Sequence, residues 1–309
     1  MVTSIEEVVL AQLEPPSNLE EVPIFTRATP VPQPDVKPVC GKDAEWVVLM
    51  VAIDFRGDGY LYGLADVIHV IRVDFVNMTV NMVALPRDLL VEAPEGRFTI
   101  QDPYKINQAY LFGTPGFDRY LGSGLGAGAL AEVIKYNFGV PIDHYGVINF
   151  ETFIRFIDAI EGVEVNLPGP VVGGDISFPA GPQTLNGDQA LALARIRQGY
   201  GDAFRVSNQT LIIIRSVLNK LIQPAYWVRV PSLLDEFSGT FLTDLSIDQL
   251  TSLGVCFLRN FESKNLKTYE APPDLLTADR AFIPSLNNNA FVYHWDETLV
   301  EWVHESLLK

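Results

Sequence analysis

Cysteine is nearly absent from this chain, with Cys40 and Cys256 the only two among 309 residues. They stand far apart and show neither CxxC nor Cys/His ligand spacing, which excludes a zinc site and a multi-bridge disulfide framework. Two separate thiols are the expectation; a single Cys40–Cys256 bridge, suited to an extracytoplasmic protein, is the alternative. Histidine is scarce as well. His69 sits inside an apolar run, while His144, His294 and His304 have no ligand-like companions, so all four read as structural. Neither HExxH nor GxSxG occurs, which removes the metalloprotease and α/β-hydrolase readings. Basic residues are few: 22 Lys and Arg against 38 Asp and Glu give a net charge of -16. That balance excludes the broad basic face needed for nucleic acid, and adsorption to an anionic membrane by charge alone. No apolar run is long enough for a spanning helix, and Met1 to Leu13 has no basic n-region, so neither an anchor nor a signal peptide is visible.

Length supports one main domain whose core needs no metal or staple. Seven prolines (15, 16, 23, 30, 32, 34 and 38) crowd the stretch Glu14 to Pro38. Fixed φ and missing donors make it an extended linker or tail rather than a packed element. Residues 1–44 are therefore set apart from a domain at 45–309.

Within that domain, Trp46 to Ile53 (WVVLMVAI) is almost wholly apolar, as in a central strand covered on both faces. Asp66–Phe75 and Thr79–Leu85 read as two more strands joined in a hairpin by Val76-Asn77-Met78, with Asp66 and Arg87 at its open end. Gly122 to Gly128 reads as a flexible connection before a helix at Ala129–Phe138 that Gly139 ends. It has no GxxxxGK[ST] and follows no strand, so it is not read as a phosphate loop. Asp143–Asn149, Phe150–Ile160 and Val163–Leu167 spell strand, amphipathic helix, strand, which predicts a β-α-β unit with its two strands parallel. Asn186 should cap a helix ending near Arg195, Val206–Ile222 should form an apolar helix, Ser246 should cap Ile247–Phe261, and Asp296–Leu308 should close the chain as a helix. The expected class is α/β, a mixed central sheet flanked by helices on both faces.

The scarce cations gather where these elements end. Arg87, Lys105, Arg195, Arg197 and Arg205, with Asp54 and Asp66, form a coherent set if those ends converge. Arginine forks suit phosphate oxygens, and two carboxylates can share a hard cation such as Mg2+ with those oxygens. The outline is that of a diphosphate site. Taken singly, each residue also fits a surface charge or structural ion pair.

The same residues lie in motifs whose order resembles the LytR-CpsA-Psr family over about Val47 to Asn260. They are Ile53-Asp54-Phe55-Arg56, Ala65-Asp66, Leu85-Pro86-Arg87-Asp88, Lys105-Ile106-Asn107-Gln108-Ala109-Tyr110, Ile142-Asp143-His144-Tyr145 through Asn149-Phe150, Leu185-Asn186-Gly187-Asp188-Gln189-Ala190-Leu191, and Arg195-Ile196-Arg197. The resemblance implies an extracytoplasmic, cell-envelope enzyme that moves a glycopolymer from a membrane-borne polyprenyl-diphosphate lipid to a cell-wall polymer. It implies Mg2+ at Asp54 and Asp66, substrate contacts from Lys105, Arg195, Arg197, Arg205 and Gln209, and catalytic duties for Arg87, Asp88 and Asp202. It also implies an apolar tunnel for the lipid.

The chain departs from the family pattern in places. Ala65-Asp66-Val67 replaces Ser-Asp-Thr, and in Gly201-Asp202-Ala203-Phe204-Arg205-Val206-Ser207-Asn208-Gln209 a phenylalanine replaces a glycine and Asn208 an arginine. A lost charge-assisted contact is worth about 1.5–3 kcal/mol. Two alternatives therefore stand beside the transferase: a polyprenyl-phosphate-binding module with weakened or lost catalysis, and a hydrolase of the same diphosphate. Three expectations follow. Asp54, Asp66, Arg87, Arg195 and Arg197 should share one pocket; the helices at 150–160 and 206–222 should enclose an apolar cavity opening at the cations; and Arg87→Ala should cost function rather than fold.

Overall fold

The computed structural model describes residues 37–55, 63–173, 175–196, 202–227, 229, 232–233, 237 and 240–308. The proline-rich stretch up to residue 36 and Arg197 lie outside them, as do the side chains of Asp202, Phe204, Arg205 and Asn208.

A six-stranded sheet is built from β1 (Glu45–Ile53), β2 (Ala65–Asp74), β3 (Thr79–Leu85), β6 (His144–Asn149), β11 (Leu242–Thr243) and β12 (Leu266–Glu270), in the order β11-β6-β1-β2-β3-β12. The expected hairpin is present, with β2 antiparallel to β3 and Asp74 opposite Thr79. β1 runs parallel to β6, and β3 runs parallel to β12. The sheet is therefore mixed, with β1 well inside it.

Alternation along β1 sends Leu49, Val51 and Ile53 to one face and Trp46, Val48 and Ala52 to the other. The first face is covered by α1 (Ile106–Phe112), α2 (Leu125–Phe138) and α8 (Glu297–Leu308) in the largest apolar cluster. The second is covered by residues of α5 (Asp202–Leu221) and α7 (Ile247–Asn260), including Leu218, Leu253 and Phe257. A further cluster joins α3 (Phe150–Ala159), α4 (Gly187–Arg195) and α5 to β7 (Val163–Leu167) and β10 (Gly181–Leu185). Short elements complete the description: β4 (Leu90–Val91) with β5 (Tyr104–Lys105), β8 (Val171–Gly173) with β9 (Ile176–Phe178), the helix α6 (Pro224–Trp227), and the hairpin of β13 (Thr277–Ile283) and β14 (Asn288–His294). Among the described residues no helix is long and apolar enough to cross a membrane. The caps fall as expected: Asn186 accepts from Gln189 N at 2.9 Å, and Ser246 Oγ accepts from Gln249 N at 3.2 Å.

Three expectations are overturned. The predicted β-α-β unit is not formed, because β7 pairs antiparallel with β10 instead of joining β6. Glu164 and Asn166 explain it: β7 alternates buried and exposed, so it has a polar face that a strand inside a doubly covered sheet cannot carry. The glycines of 122–128 are only partly a connection, since Gly126 and Gly128 lie inside α2. A Cβ on Gly126 would stand 2.7 Å from the Tyr110 carbonyl, so glycine there permits close packing of α2 on α1. Finally, Cys40 and Cys256 are joined in a disulfide, with Cα atoms 5.8 Å apart. Sequence separation concealed the pair; the fold brings them together by packing α7 against the segment that enters β1.

Candidate functional site

The parallel strands β1 and β6 finish at the same end of the sheet, as Ile53 faces Asn149. The end of β3 and the start of β2 lie there too, since Ile68 faces Leu85. Open α/β sheets form crevices at the carboxyl ends of their parallel strands. Here that end collects Asp54, Asp66 and Arg87.

Local irregularity aims these side chains. Ala52 faces Val67 and Ile53 faces Ala65, so Asp66 is the unmatched residue of a bulge in β2. Such bulges redirect a side chain out of the regular alternation. Asp54 closes the excursion after β1: Leu64 N donates to its Oδ1 at 2.8 Å, while its own N–H donates to Leu64 O at 3.2 Å. Arg87, just beyond β3, donates from Nη1 to Asp66 Oδ1. Its Nε lies 3.5 Å from Asp88 Oδ2, and Lys105 Nζ donates to Asp88 Oδ1 at 3.1 Å. The result is an alternating chain of charges, Asp66, Arg87, Asp88 and Lys105, whose side chains are 10 to 23% exposed.

The backbone beneath it is fixed as well. Ile106 N donates to Leu89 O at 2.9 Å and Asn107 N to Arg87 O at 3.2 Å, so the free N–H groups of the α1 N-terminus hold the Arg87 loop. Lys105 is the N-cap of that helix, and its N–H donates to Gln108 Oε1.

Beside this chain opens a cleft of about 550 Å³, open solvent at its mouth included. Ala52 and Val67 form its floor; Phe153 of α3, Ala194 of α4, and Ile213 and Ile214 of α5 form its walls; Asp66 and Arg195 stand in its lining. The Arg195 guanidinium lies 5.0 Å over the Phe150 ring. This geometry suits a cation–π contact, which holds a charge at the edge of an apolar wall. Gln209 of α5 is 7% exposed, and its Oε1 is buried with no hydrogen-bond partner.

Asp66, Arg87, Asp88 and Lys105 are thus brought into one network, and Arg195 shares the cleft with Asp66. Asp54 leaves the same sheet end. Arg197 and the side chains of Asp202 and Arg205 lie outside the described residues. The cleft between the helices at 150–160 and 206–222 was expected, but not the contribution of α4 or the floor. Ala52 and Ala194 carry the signal: small residues in otherwise bulky apolar runs leave room.

Two polar groups stand one row further along the same sheet face: His69, read from the sequence as structural, and Glu270, which the sequence reading did not single out. Met50, His69, Ala84 and Glu270 lie in register across β1, β2, β3 and β12. Burial pushes the His69 imidazole down to about 4 and the Glu270 carboxyl up to about 7. His69 Nδ1 and Glu270 Oε1 are both buried without a hydrogen-bond partner.

Among the described residues no group of three or more His, Cys, Asp or Glu side chains could hold a metal alone. Asp54 and Asp66 offer oxygen donors of the kind Mg2+ takes. Mg2+ ordinarily binds one or two carboxylates and draws its other ligands from phosphate and water, so the pair fits only with a phosphate present.

A mixed α/β/α layer with Arg87 and Lys105 at the crevice end and an apolar cleft beside them defines the class of the fold and its candidate site. Its family follows from comparison. The model of the LytR_cpsA_psr family matches residues 26–308, and the chain belongs to that family. It is similar to the polyisoprenyl-teichoic acid–peptidoglycan teichoic acid transferase TagU of Halalkalibacterium halodurans, at 30% identity over 209 residues, which cover 67% of this chain and 63% of that relative. Among solved structures, TagV of B. subtilis superposes with a TM-score of 0.65 at 24% identity, covering 86% of this chain and 97% of that one. The Lin1025 protein from Listeria innocua gives a TM-score of 0.61 at 26% identity, covering 86% and 100%.

Proposed function

We propose that this domain is a phosphotransferase that moves a saccharide chain from a polyprenyl-diphosphate carrier onto a cell-wall polymer. One observation carries the reading: a chain of two carboxylates and two cations starts at Asp66, which with Arg195 lines an apolar cleft, an arrangement that suits a ligand with a diphosphate at one end and hydrocarbon beyond it. The name of the Halalkalibacterium relative supports the same chemistry.

In this reading the acceptor hydroxyl attacks the sugar-bearing phosphorus. A new P–O bond forms to the acceptor, the bridging P–O bond breaks, the hydroxyl proton is released, and polyprenyl phosphate leaves. Arg87 and Lys105 neutralise the leaving phosphate, and Asp88, held between them, keeps both cations aimed before substrate arrives. Arg195 steadies the diphosphate at the Phe150 wall, with Arg197, Arg205 and Gln209 as further contacts and Asp202 orienting them. Asp54 and Asp66 would hold Mg2+ against the phosphate oxygens, where the ion supplies charge neutralisation. The Cys40–Cys256 bridge supports an extracytoplasmic, oxidising location.

The test is to incubate the domain with a polyprenyl-diphosphate-linked saccharide, peptidoglycan and magnesium chloride. Polyprenyl phosphate and saccharide-bearing peptidoglycan should form together. Release of the lipid with saccharide left in solution selects hydrolysis. Binding without either product selects the non-catalytic module that Ala65, Phe204 and Asn208 favour.

A further inference from the structure

The β13–β14 hairpin packs beside the Arg87 loop, on the side of the sheet away from the cleft. Tyr293 N donates to Asp88 O at 2.9 Å, Tyr293 forms a parallel bridge with Leu89, Gln108 Nε2 donates to Ser285 Oγ at 3.1 Å, and Trp295 Nε1 donates to Leu90 O at 2.7 Å. Ile283, Val292 and Tyr293 belong to the cluster beneath α1, α2 and α8, whereas the cleft floor of Ala52 and Val67 belongs to the opposite face. The charged chain thus stands between an apolar cleft and this hairpin.

The hairpin's open surface has a distinct composition. Arg280 faces Phe291 and Phe282 faces Asn289 in the register, so the four side chains share one face. Phe282 is 53% exposed, Arg280 and Asn289 are exposed, and Phe291 is half-buried. Asp279 belongs to the opposite face, opposite Val292. An aromatic ring offers its plane to the C–H face of a sugar, while amide and guanidinium groups serve ring hydroxyls. Phe291 packs against the core edge-on to Tyr293, Arg280 Nη2 donates to Asn289 O at 2.9 Å and so holds the guanidinium beside the pair, and Phe282 leaves its ring open to solvent.

We propose that Arg280, Phe282, Asn289 and Phe291 form a subsite for the saccharide carried by the donor lipid. The inference rests on the donor proposed above: with the hydrocarbon in the cleft and the diphosphate at Arg87 and Lys105, the sugar emerges on the hairpin side. It does not require any particular sugar, only a pyranose with one open C–H face.

The test compares farnesyl diphosphate with farnesyl-diphosphate-linked N-acetylglucosamine, in magnesium buffer, by calorimetry on the wild-type domain, Phe282→Ala and Phe282→Tyr. The sugar should improve wild-type affinity about tenfold, the size of one good aromatic contact with a hydrogen bond. Phe282→Ala should erase that gain and leave farnesyl diphosphate binding unchanged, while Phe282→Tyr should retain it. Equal affinities of the two probes for the wild type, or an equal loss of both in Phe282→Ala, would overturn the subsite alone. Failure of the wild type to bind either probe would overturn the lipid-diphosphate reading and the subsite with it.

Discussion

The two ends of the central sheet are built on opposite principles. At the end where β1 begins, polar groups are matched to one another: His144 Nδ1 lies 2.7 Å from Asp244 Oδ2, Tyr145 N donates to Asp244 Oδ1, Val47 N donates to Asp143 Oδ2, and Trp46 Nε1 donates to Asp43. Trp46 packs edge-on against both His144 and Phe75, and the disulfide fastens α7 to the entering segment. At the other end, charges alternate along a rim, Arg195 leans over a ring, and Gln209 and Glu270 keep buried oxygens without partners. A rim of alternating, partly exposed charges adds little to stability, so this end is arranged for something other than folding.

That contrast is most exposed to attack at Arg87. Replacing it with alanine should lower transferase turnover by about 10² to 10³, the usual effect of removing one preorganised charge stabiliser. The melting temperature should fall by only a few degrees, since a partly exposed ion pair contributes little to stability. Calorimetric melting alongside a turnover assay decides the matter. A variant that unfolds would move Arg87 into the closed, structural class and erase the distinction.

At the closed end the expected order is reversed. Cys40→Ala with Cys256→Ala should cost about 2–4 kcal/mol in urea unfolding, because the bridge restrains a long loop in the unfolded chain. Turnover of the surviving native fraction should be unchanged. A large drop in turnover at full folding would show that the two ends are coupled.

Asp244→Ala sharpens the same contrast on a smaller scale. It strips an acceptor from the Tyr145 amide and the carboxylate partner from His144 Nδ1, a loss of about 1–3 kcal/mol. Tryptophan fluorescence should report the loosened packing of Trp46 on His144, with ligand affinity unaltered.

How far the sequence announced these ends differs between them. The open end was readable because its chemistry is local: Arg87 follows a strand, Lys105 and Arg195 bound helices, and each lies in a recognisable run. The closed end was not. Cys40 finds Cys256, and His144 finds Asp244, only through tertiary packing of α7 and β11 against the sheet, and no local pattern encodes either meeting. β7 was misplaced for a related reason, since a strand-helix-strand order is the same whether the second strand joins the main sheet or turns away to pair with β10. Its exposed Glu164 and Asn166 were the available warning. The alignment of His69 with Glu270 was hidden because register, not spacing, sets them in one row.

Glu270 gives the smallest effect and the finest test of where the open end stops. Its carboxyl is raised from 4.5 to about 7 by burial alone, so the native state holds its proton more tightly than the unfolded chain does. The contribution to stability is therefore complete below pH 4.5 and is lost as pH rises to 7 and above, where the native protein must bury a charge. Because the group is only partly buried, solvent screening reduces the cost at pH 8 to about 1 kcal/mol. Glu270→Gln should accordingly be neutral at pH 4.5 and stabilising by about that amount at pH 8, measured as the difference between two urea titrations. The same variant should leave the Arg87 network intact, since Glu270 lies beyond Ala84 on the floor side of the sheet. If the stability of Glu270→Gln tracks the wild type at both pH values, the carboxylate is already solvated, and the row behind Val67 belongs to the open cleft rather than to the core.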